Sequence, residues 1–406
     1  MIESMLMHMH LLLLDPIQIP SLAFLLIGGA CAFVLAYVLT FAVRSFCHRV
    51  GWLDLPAARR VHTNPLPRLG GVAIFLAFVV VSLLFYTLGP KSNSNEIVIY
   101  WLLLVSGGLI VLVHMYDDVK GLNPLPKLIV QTIAVIIILG PWGTVFHGIL
   151  LFTFNNPFGT EIMQPGLPWY REPTLFLFIH QSGLSLAAIP SILLTWFWIV
   201  GMMNTVNWID GIDGLATGVV AIAALFITII SWIMGQQSIA ILSAIFTGAT
   251  LGFLPHNWNP AKIFMGDSGS MFLGLGLAVL SVMGGAKLAL TLMVLGCPVL
   301  DVAVVVMSRI RRGQSPLKYD KTHLHHRLLA NGASVRQICY MFYSLAFVFG
   351  ILAISLSGLK LAHFYKLVGL GLVTLTITLL IIWIDYQKRR SRTHVELGDA
   401  KPTIKL

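Results

Sequence analysis

The chain has 406 residues, 57% of them hydrophobic and only 10% charged, with a formal net charge of +10 and a mean hydropathy of +0.87. That balance excludes both a water-soluble globular domain of this length and a disordered chain, since neither keeps so much apolar surface and so little charge in water. A bilayer is the solvent that fits.

A hydrocarbon core of about 30 Å takes about 20 apolar residues per helical span. Such runs fall at 22–43, 69–89, 98–115, 125–140, 187–203, 215–234, 238–254, 269–284, 288–307, 337–357 and 364–384. They predict an all-α, polytopic integral membrane protein with about eleven transmembrane helices. Tracts such as Ile129–Leu139 and Ile222–Met234 lack the alternation of barrel strands, and a helix satisfies its own backbone polar groups in lipid. The expected organisation is an extracytoplasmic segment 1–21, a transmembrane catalytic domain 22–384 and a cytoplasmic tail 385–406. With the N-terminus outside and the C-terminus cytoplasmic, the loops 44–68, 117–127, 255–262 and 309–336 and the tail hold 21 of the 26 Lys and Arg, which satisfies the positive-inside rule. The basic residues therefore mark orientation, and no nucleic-acid partner is expected.

The first fifteen residues carry Glu3 and Asp15 but no Lys or Arg, so the first span is expected to be retained rather than cleaved. Cys31, Cys47, Cys297 and Cys339 show no CxxC spacing and are expected to be packing residues. The loop 141–186 is turn-rich with some strand character, and its Trp169 and Tyr170 suit an interfacial anchor. Lys388, Arg389, Arg390 and Arg392 follow the last span, as a stop-transfer anchor that also attracts anionic head groups.

Five polar clusters punctuate the spans, and the alternation of spans puts all five on one side. The first runs from Arg59 through His62 to Pro65-Leu66-Pro67-Arg68-Leu69-Gly70-Gly71; its glycines permit close backbone approach and its cations suit a phosphate. The second is Asp117-Asp118-Val119-Lys120-Gly121-Leu122, followed by Lys127 and Gln131. Adjacent carboxylates at a membrane boundary repel each other and are costly to dehydrate, so a divalent metal, Lys120, Lys127 or a held proton should compensate them.

The third, Asn204-Thr-Val-Asn207-Trp208-Ile-Asp210-Gly211-Ile212-Asp213-Gly214-Leu-Ala, is the most specific string. Asn204, Asn207 and Asp210 fall three apart and share a helical face, which suits an oxygen-rich site for a hard cation. The fourth, Asn257-Trp-Asn259 to Phe264-Met-Gly266-Asp267-Ser268-Gly269-Ser270, presents Asp267 on a tight turn at a helix start, where it either binds metal or caps. The fifth, Arg309 to Arg327, contains His323-Leu324-His325-His326-Arg327. Zinc fits the histidine spacing alone, but no cysteine accompanies it, and so many cations favour phosphate or pyrophosphate. Asp301, inside the ninth span, is either a functional acid or a partner of Arg309 or a neighbouring helix.

Carboxylates and amides fit for magnesium, opposed by Arg, Lys and His on one face, describe a phosphoryl-transfer site at a bilayer surface, with a lipid phosphate as one substrate. Asp117-Asp118 with Gly121-Leu122, Asn204-x-x-Asn207-x-x-Asp210-Gly-Ile-Asp213-Gly-Leu-Ala, Phe264-Met-Gly-Asp267-x-Gly-Ser270 and His323-x-His325-His326 together resemble the polyprenyl-phosphate N-acetylhexosamine-1-phosphate transferases, from about residue 44 to 384. Pro65-x-Pro67-Arg68-Leu-Gly-Gly and His323-Leu-His-His-Arg327-Leu look like the bacterial undecaprenyl-phosphate N-acetylglucosamine-1-phosphate transferases of O-antigen and teichoic-acid pathways. The branch that transfers phospho-N-acetylmuramoyl-pentapeptide has three adjacent histidines, a run interrupted here by Leu324.

The resemblance implies Mg2+-dependent transfer of a sugar 1-phosphate from a UDP-N-acetylhexosamine to undecaprenyl phosphate, with Mn2+ as an alternative ion, a multi-pass location in the bacterial inner membrane, a cytoplasmic-face site, and compatibility with a homodimer. By position it implies Asn207 and Asp267 as metal ligands, and Asp117 and Asp118 as the acids that deprotonate or orient the lipid phosphate. Lys127, His323, His325, His326 and Arg327 match phosphate-contacting positions, and Asp210 and Asp213 match motif acids of the catalytic site. UDP-GlcNAc is the expected donor; UDP-GalNAc and UDP-MurNAc-pentapeptide are the rivals. A secondary transporter for a phosphorylated solute is the reading from another class, and it predicts midplane polar residues and repeated halves.

Overall fold

The computed structural model describes residues 19–54, 65–89, 94–142, 189–283, 287–314 and 323–357, with short stretches between 145 and 185 and near 370. Among these residues the chain forms twelve helices: α1 (Ile19–Val50), α2 (Gly70–Leu88), α3 (Ser94–Lys120), α4 (Pro124–Leu139), α5 (Ile189–Ile209), α6 (Leu215–Ile233), α7 (Gln237–Asn257), α8 (Gly266–Val282), α9 (Leu288–Val294), α10 (Gly296–Arg311), α11 (Leu324–Ala330) and α12 (Val335–Ser357). Seven are long and apolar enough to cross a membrane, and α9 with α10, taken together as one bent pair, has the length and composition of an eighth; α4 and α8 are shorter apolar helices. The fold is an all-α polytopic membrane protein. Each of the first ten expected spans coincides with a helix or helix pair, while 364–384 and the tail 385–406 lie largely or wholly outside the described residues.

Two departures from the expected spans carry chemistry. The ninth span is not continuous: it breaks at Leu295 and bends by 80°. Pro298 explains this, because it lacks an N–H and its ring opposes the carbonyl of Val294, where α9 ends. Several helices also outrun their apolar stretches. α3 continues to Lys120 and stops at Gly121, whose φ is +74°, and α5 continues to Ile209. Asp117 and Asp118 therefore stand on the last helical turn of α3 rather than in the loop 117–127, and Asn204 and Asn207 lie on α5 as their spacing predicts, whereas Asp210 falls just past the helix end. Local cues also bound α4, which opens on Pro124, suited to a position with no N–H partner, and closes on left-handed Gly140.

α8 is the central helix, buried along nearly its whole length and packed against α2, α3 and α5. Phe78, Phe246 and Phe272 meet pairwise with ring centroids 5.7–5.8 Å apart, joining α2, α7 and α8. Lipid offers helices little hydrophobic drive to associate, so close packing of small residues carries much of the cohesion. α7 lies along α1 through Gly248 and Gly252. A methyl group built on Gly248 would sit 2.0 Å from the Gly29 carbonyl oxygen, and one on Gly252 2.2 Å from that of Phe33. Gly248→Leu is expected to force the pair apart and cost about 1–3 kcal/mol, read as a lowered melting temperature in detergent, with no such loss in the control Gly201→Ala, where an added methyl meets nothing within 4 Å.

Cys47, Cys297 and Cys339 are buried as expected, whereas Cys31 is exposed. It lies on the face of α1 that also shows Ile27 and Val34, a face exposed among the described residues. In the 141–186 segment, three pairs of two-residue strands are present, joining Pro141–Trp142 to Val145–Phe146, Phe154–Asn155 to Ile162–Met163, and Thr174–Leu175 to Leu184–Ser185. Trp169 and Tyr170 lie outside the described residues.

Candidate active site at one end of the bundle

The site begins with a backbone clasp. A two-residue antiparallel pair, Leu53–Asp54 with Leu66–Pro67, closes the loop after α1. The Pro67 carbonyl then accepts from Phe264 N–H (2.8 Å), and Gly70 and Gly71 donate to the carbonyls of Phe264 and Met265 (3.0 and 2.8 Å). This crossing brings Gly71 against Gly269, where an added methyl would lie 2.1 Å from the Gly269 nitrogen. Only glycine fits, and the result is that Arg68 and Asp267, 199 residues apart in sequence, form an ion pair.

Arg68 and Lys127 are the cations of the cluster, and Asp117, Asp118 and Asp267 the carboxylates that meet them directly. Arg68 bridges Asp118 (Nε to Oδ1, 3.3 Å) and Asp267 (Nη2 to Oδ1, 3.0 Å). Lys127 pairs with Asp117 and donates to Asp267 Oδ2 at 2.8 Å. Burial works against the charged guanidinium of Arg68, but Asp118, Asp267, Asp210 and Asp117 outweigh it and raise its pKa. Desolvation raises the Asp210 carboxyl well above the usual carboxylate range; Arg68 opposes this, and Asp267, Asp118 and Asp213 add to it. Four carboxyl groups thus crowd two cations; the crowding favours the neutral form of Asp210, and the three acids that meet Arg68 and Lys127 directly still outnumber them.

The acids differ in what holds them. Asp118 is fully enclosed and accepts from the backbone N–H groups of Asp267 (2.8 Å) and Ser268 (3.0 Å) and from Ser268 Oγ (2.8 Å). It anchors the first turn of α8, satisfying donors that a helix start leaves without partners. Asp117 Oδ1 accepts Leu122 N–H at 2.6 Å, and its other oxygen meets Lys127. Asp213 Oδ2 accepts from Asn259 Nδ2 (2.9 Å) and Ala261 N–H (3.0 Å), so this acid ties down the loop before α8. Asn257 completes the tie: its Oδ1 accepts Gly214 N–H and the Thr217 hydroxyl, and its amide donates to the Ile263 carbonyl.

On α5, Asn204 donates to Gln131 Oε1 (2.9 Å) and Asn207 to Ser270 Oγ (2.9 Å), while Ser270 Oγ reaches the Asp267 carbonyl (3.4 Å). Asn207 is thereby held beside the turn that carries Asp267. Among the described residues no three His, Cys, Asp or Glu side chains form a ready-made metal cage. A magnesium ion needs none: it keeps several waters and takes one or two carboxylates plus substrate phosphates. An all-oxygen set in an excess of negative charge fits that ion and does not fit zinc.

The histidine segment reaches the same end of the bundle. His323 Nδ1 lies 2.9 Å from Asp301 Oδ2, and Leu324 N–H donates to Asp301 Oδ1 at 2.8 Å, so the partner of Asp301 is the start of α11. His325 is buried with neither ring nitrogen bonded among the described residues, and it packs on Gly211. Burial, His326 and His323 hold its pKa well below the ordinary histidine value. His326 stacks obliquely on His325, ring centroids 4.3 Å apart, and Arg327 lies one turn into α11.

Residues 100–285, which carry Asp117 to Asp267, match the sequence profile of "glycosyl transferase family 4". The chain is 33% identical over 327 residues to a probable undecaprenyl-phosphate N-acetylglucosaminyl 1-phosphate transferase of Bacillus subtilis, covering 79% of this chain and 82% of that one. It is 33% identical to a decaprenyl-phosphate N-acetylglucosaminephosphotransferase of Mycolicibacterium smegmatis (78% of each chain). To a phospho-N-acetylmuramoyl-pentapeptide-transferase of Staphylococcus aureus it is 31% identical (71% of this chain, 84% of that one). The chain belongs to the polyprenyl-phosphate hexosamine-1-phosphate transferases. It is an enzyme of this class rather than a transporter.

The transferase's central cation is one that residue-type reasoning undervalued. Arg68 reads as part of a basic loop, and only its place in Pro67-Arg68-Leu-Gly-Gly, where the glycines permit the α2–α8 crossing, signals that it enters the acidic cluster. Ser268 and Ser270 are by residue type suited to capping a helix start; in the folded transferase they hold Asp118 and Asn207. The transferase's Arg59, Arg60 and His62 lie outside the described residues.

Proposed function

We propose that this transferase moves N-acetylglucosamine 1-phosphate from UDP-GlcNAc to undecaprenyl phosphate, using Mg2+ with Mn2+ as a substitute. The products are UMP and the lipid-linked diphosphate sugar that begins a cell-envelope glycan at the cytoplasmic face of the inner membrane. The observation that carries the reading is the shared cluster of Arg68, Lys127, Asp117, Asp210 and Asp267 at one end of an apolar bundle, where a soluble nucleotide sugar can meet a membrane lipid.

Arg68 and Lys127 each bridge two acids, so each can turn one contact to a phosphate oxygen as substrate arrives while keeping a carboxylate partner. Asp117 receives or orients the proton of the lipid phosphate, a group with a second pKa of about 6 that needs only a weak base. A lipid phosphate oxygen bonds to the sugar-linked phosphorus, and the bond to UMP breaks with its electron pair leaving on UMP. Asp267 and Asn207 would hold the magnesium ion, which when bound neutralises diphosphate charge.

GlcNAc is favoured over muramoyl-pentapeptide by the Bacillus and Mycolicibacterium relatives and by Leu324, which is fully buried and fixes the break in the histidine run. Purified protein with labelled UDP-GlcNAc, undecaprenyl phosphate and Mg2+ is expected to release UMP and form a lipid-linked product. EDTA is expected to abolish both, with recovery on adding Mg2+ or Mn2+. Turnover of UDP-GalNAc or the muramoyl-pentapeptide donor with UDP-GlcNAc inert would reject the donor.

A further inference from the structure

The histidine segment is tied to α10 through a buried acid. Asp301 stands on α10, below the break at Leu295, and is only 3% exposed. It uses both carboxylate oxygens on the entry to α11, one on His323 Nδ1 and one on Leu324 N–H. Nothing about metal or phosphate requires an acid here, and an uncompensated carboxylate at this depth is costly.

We infer that Asp301 is a positioning residue for the transfer reaction, fixing the ring orientation and tautomer of His323; this rests on the proposed phosphate-binding part of His323. An ionised carboxylate only accepts hydrogen bonds, so His323 Nδ1 must carry the hydrogen. Nε2 is then the nitrogen left for substrate, as an acceptor in the neutral ring or a donor in the charged one. The surroundings restrict the ring further. Its plane is within 11° of that of His325 at 5.9 Å, and Trp208 packs on it with centroids 5.9 Å apart. Trp208 in turn carries the guanidinium carbon of Arg309 at 5.6 Å, so α10 contacts this group at two points, Asp301 and Arg309, two turns apart.

The arrangement also gives the break at Pro298 a consequence. Because α10 starts afresh at Gly296, Asp301 is aimed by a helix that is not bound to the direction of α9. A movement of α10 would move His323 with it.

Asp301→Asn tests the inference, because it keeps the shape and one acceptor for Leu324 N–H but replaces the other oxygen with an amide NH2 that donates to Nδ1. In full-length protein labelled with 15N-histidine, the His323 ring, identified by its loss in His323→Ala, is expected to show hydrogen on Nδ1 in the natural protein and on Nε2 in Asp301→Asn. With whichever UDP-sugar is turned over, kcat is expected to fall about 10²–10⁴-fold, as for a misdirected catalytic histidine, with KM changed far less. Asp301→Asn added to His323→Ala is expected to produce no further loss.

Hydrogen on Nε2 in the natural protein would overturn the inference without any variant having to fold. So would losses that multiply in the double variant, which would mean that Asp301 acts on the fold and not through His323. The tautomer is read without substrate, so failure of the UDP-GlcNAc assignment leaves this test standing.

Discussion

Asp267→Asn is expected to lower kcat by about 10³-fold or more while leaving the protein folded. Asp267 is where the two cations converge, with Arg68 on one oxygen and Lys127 on the other, and it is a proposed ligand of the metal. Asparagine keeps an acceptor but removes the charge, so Arg68 retains Asp118 and Lys127 retains Asp117. Loss of one preorganised electrostatic contact is worth about 10²–10³-fold, and a weakened metal site adds to it. The variant is therefore expected to need higher Mg2+ for any residual turnover, with a melting temperature close to that of the natural protein. Full activity in Asp267→Asn at ordinary Mg2+ would remove Asp267 from the proposed metal site.

Asp118→Ala is expected to fail differently, through stability. The side chain is enclosed and accepts three hydrogen bonds from the first turn of α8 besides its contact with Arg68. Removing it strands two backbone donors and half of the Arg68 pairing, and breaking a buried charged pair costs about 3–5 kcal/mol. The central helix would lose its anchor, so the variant is expected to melt markedly lower in detergent and to lose activity as a consequence. Asp117→Asn serves as the contrast: its carboxylate meets Leu122 N–H, Lys127 and the Asp267 side chain but no backbone N–H of α8, so it is expected to fold and to lose turnover. Equal melting temperatures for Asp118→Ala and Asp117→Asn would contradict this division of labour. Two adjacent acids that look equivalent in the sequence thus have separate tasks, because successive residues on a helix point about 100° apart, and it is Asp118 that accepts the backbone N–H groups at the start of α8.

The sequence by itself determined the class of fold and most of the chemistry. Apolar runs of membrane-spanning length located ten helical stretches, since length and hydrophobicity are local properties that lipid reads directly. The acids, amides and cations of the five clusters, with their spacing, were sufficient to point to phosphate chemistry and to a family. What only the tertiary structure decided depends on contacts between residues far apart in the chain. Arg68 meets Asp267 because Gly71 and Gly269 let two helices touch. Asp118 anchors the start of α8, and Asp213 the loop before it, because backbone N–H groups from the segment 261–268 face them. Asp301 reaches His323 and Leu324 rather than standing alone in its span. Even the break in the ninth span, signalled by Pro298, acquires its meaning only from where the following helix points. A local pattern states which groups are present and on which face, but which of them are occupied in holding the fold, and which remain for substrate, is settled by the neighbours that packing supplies.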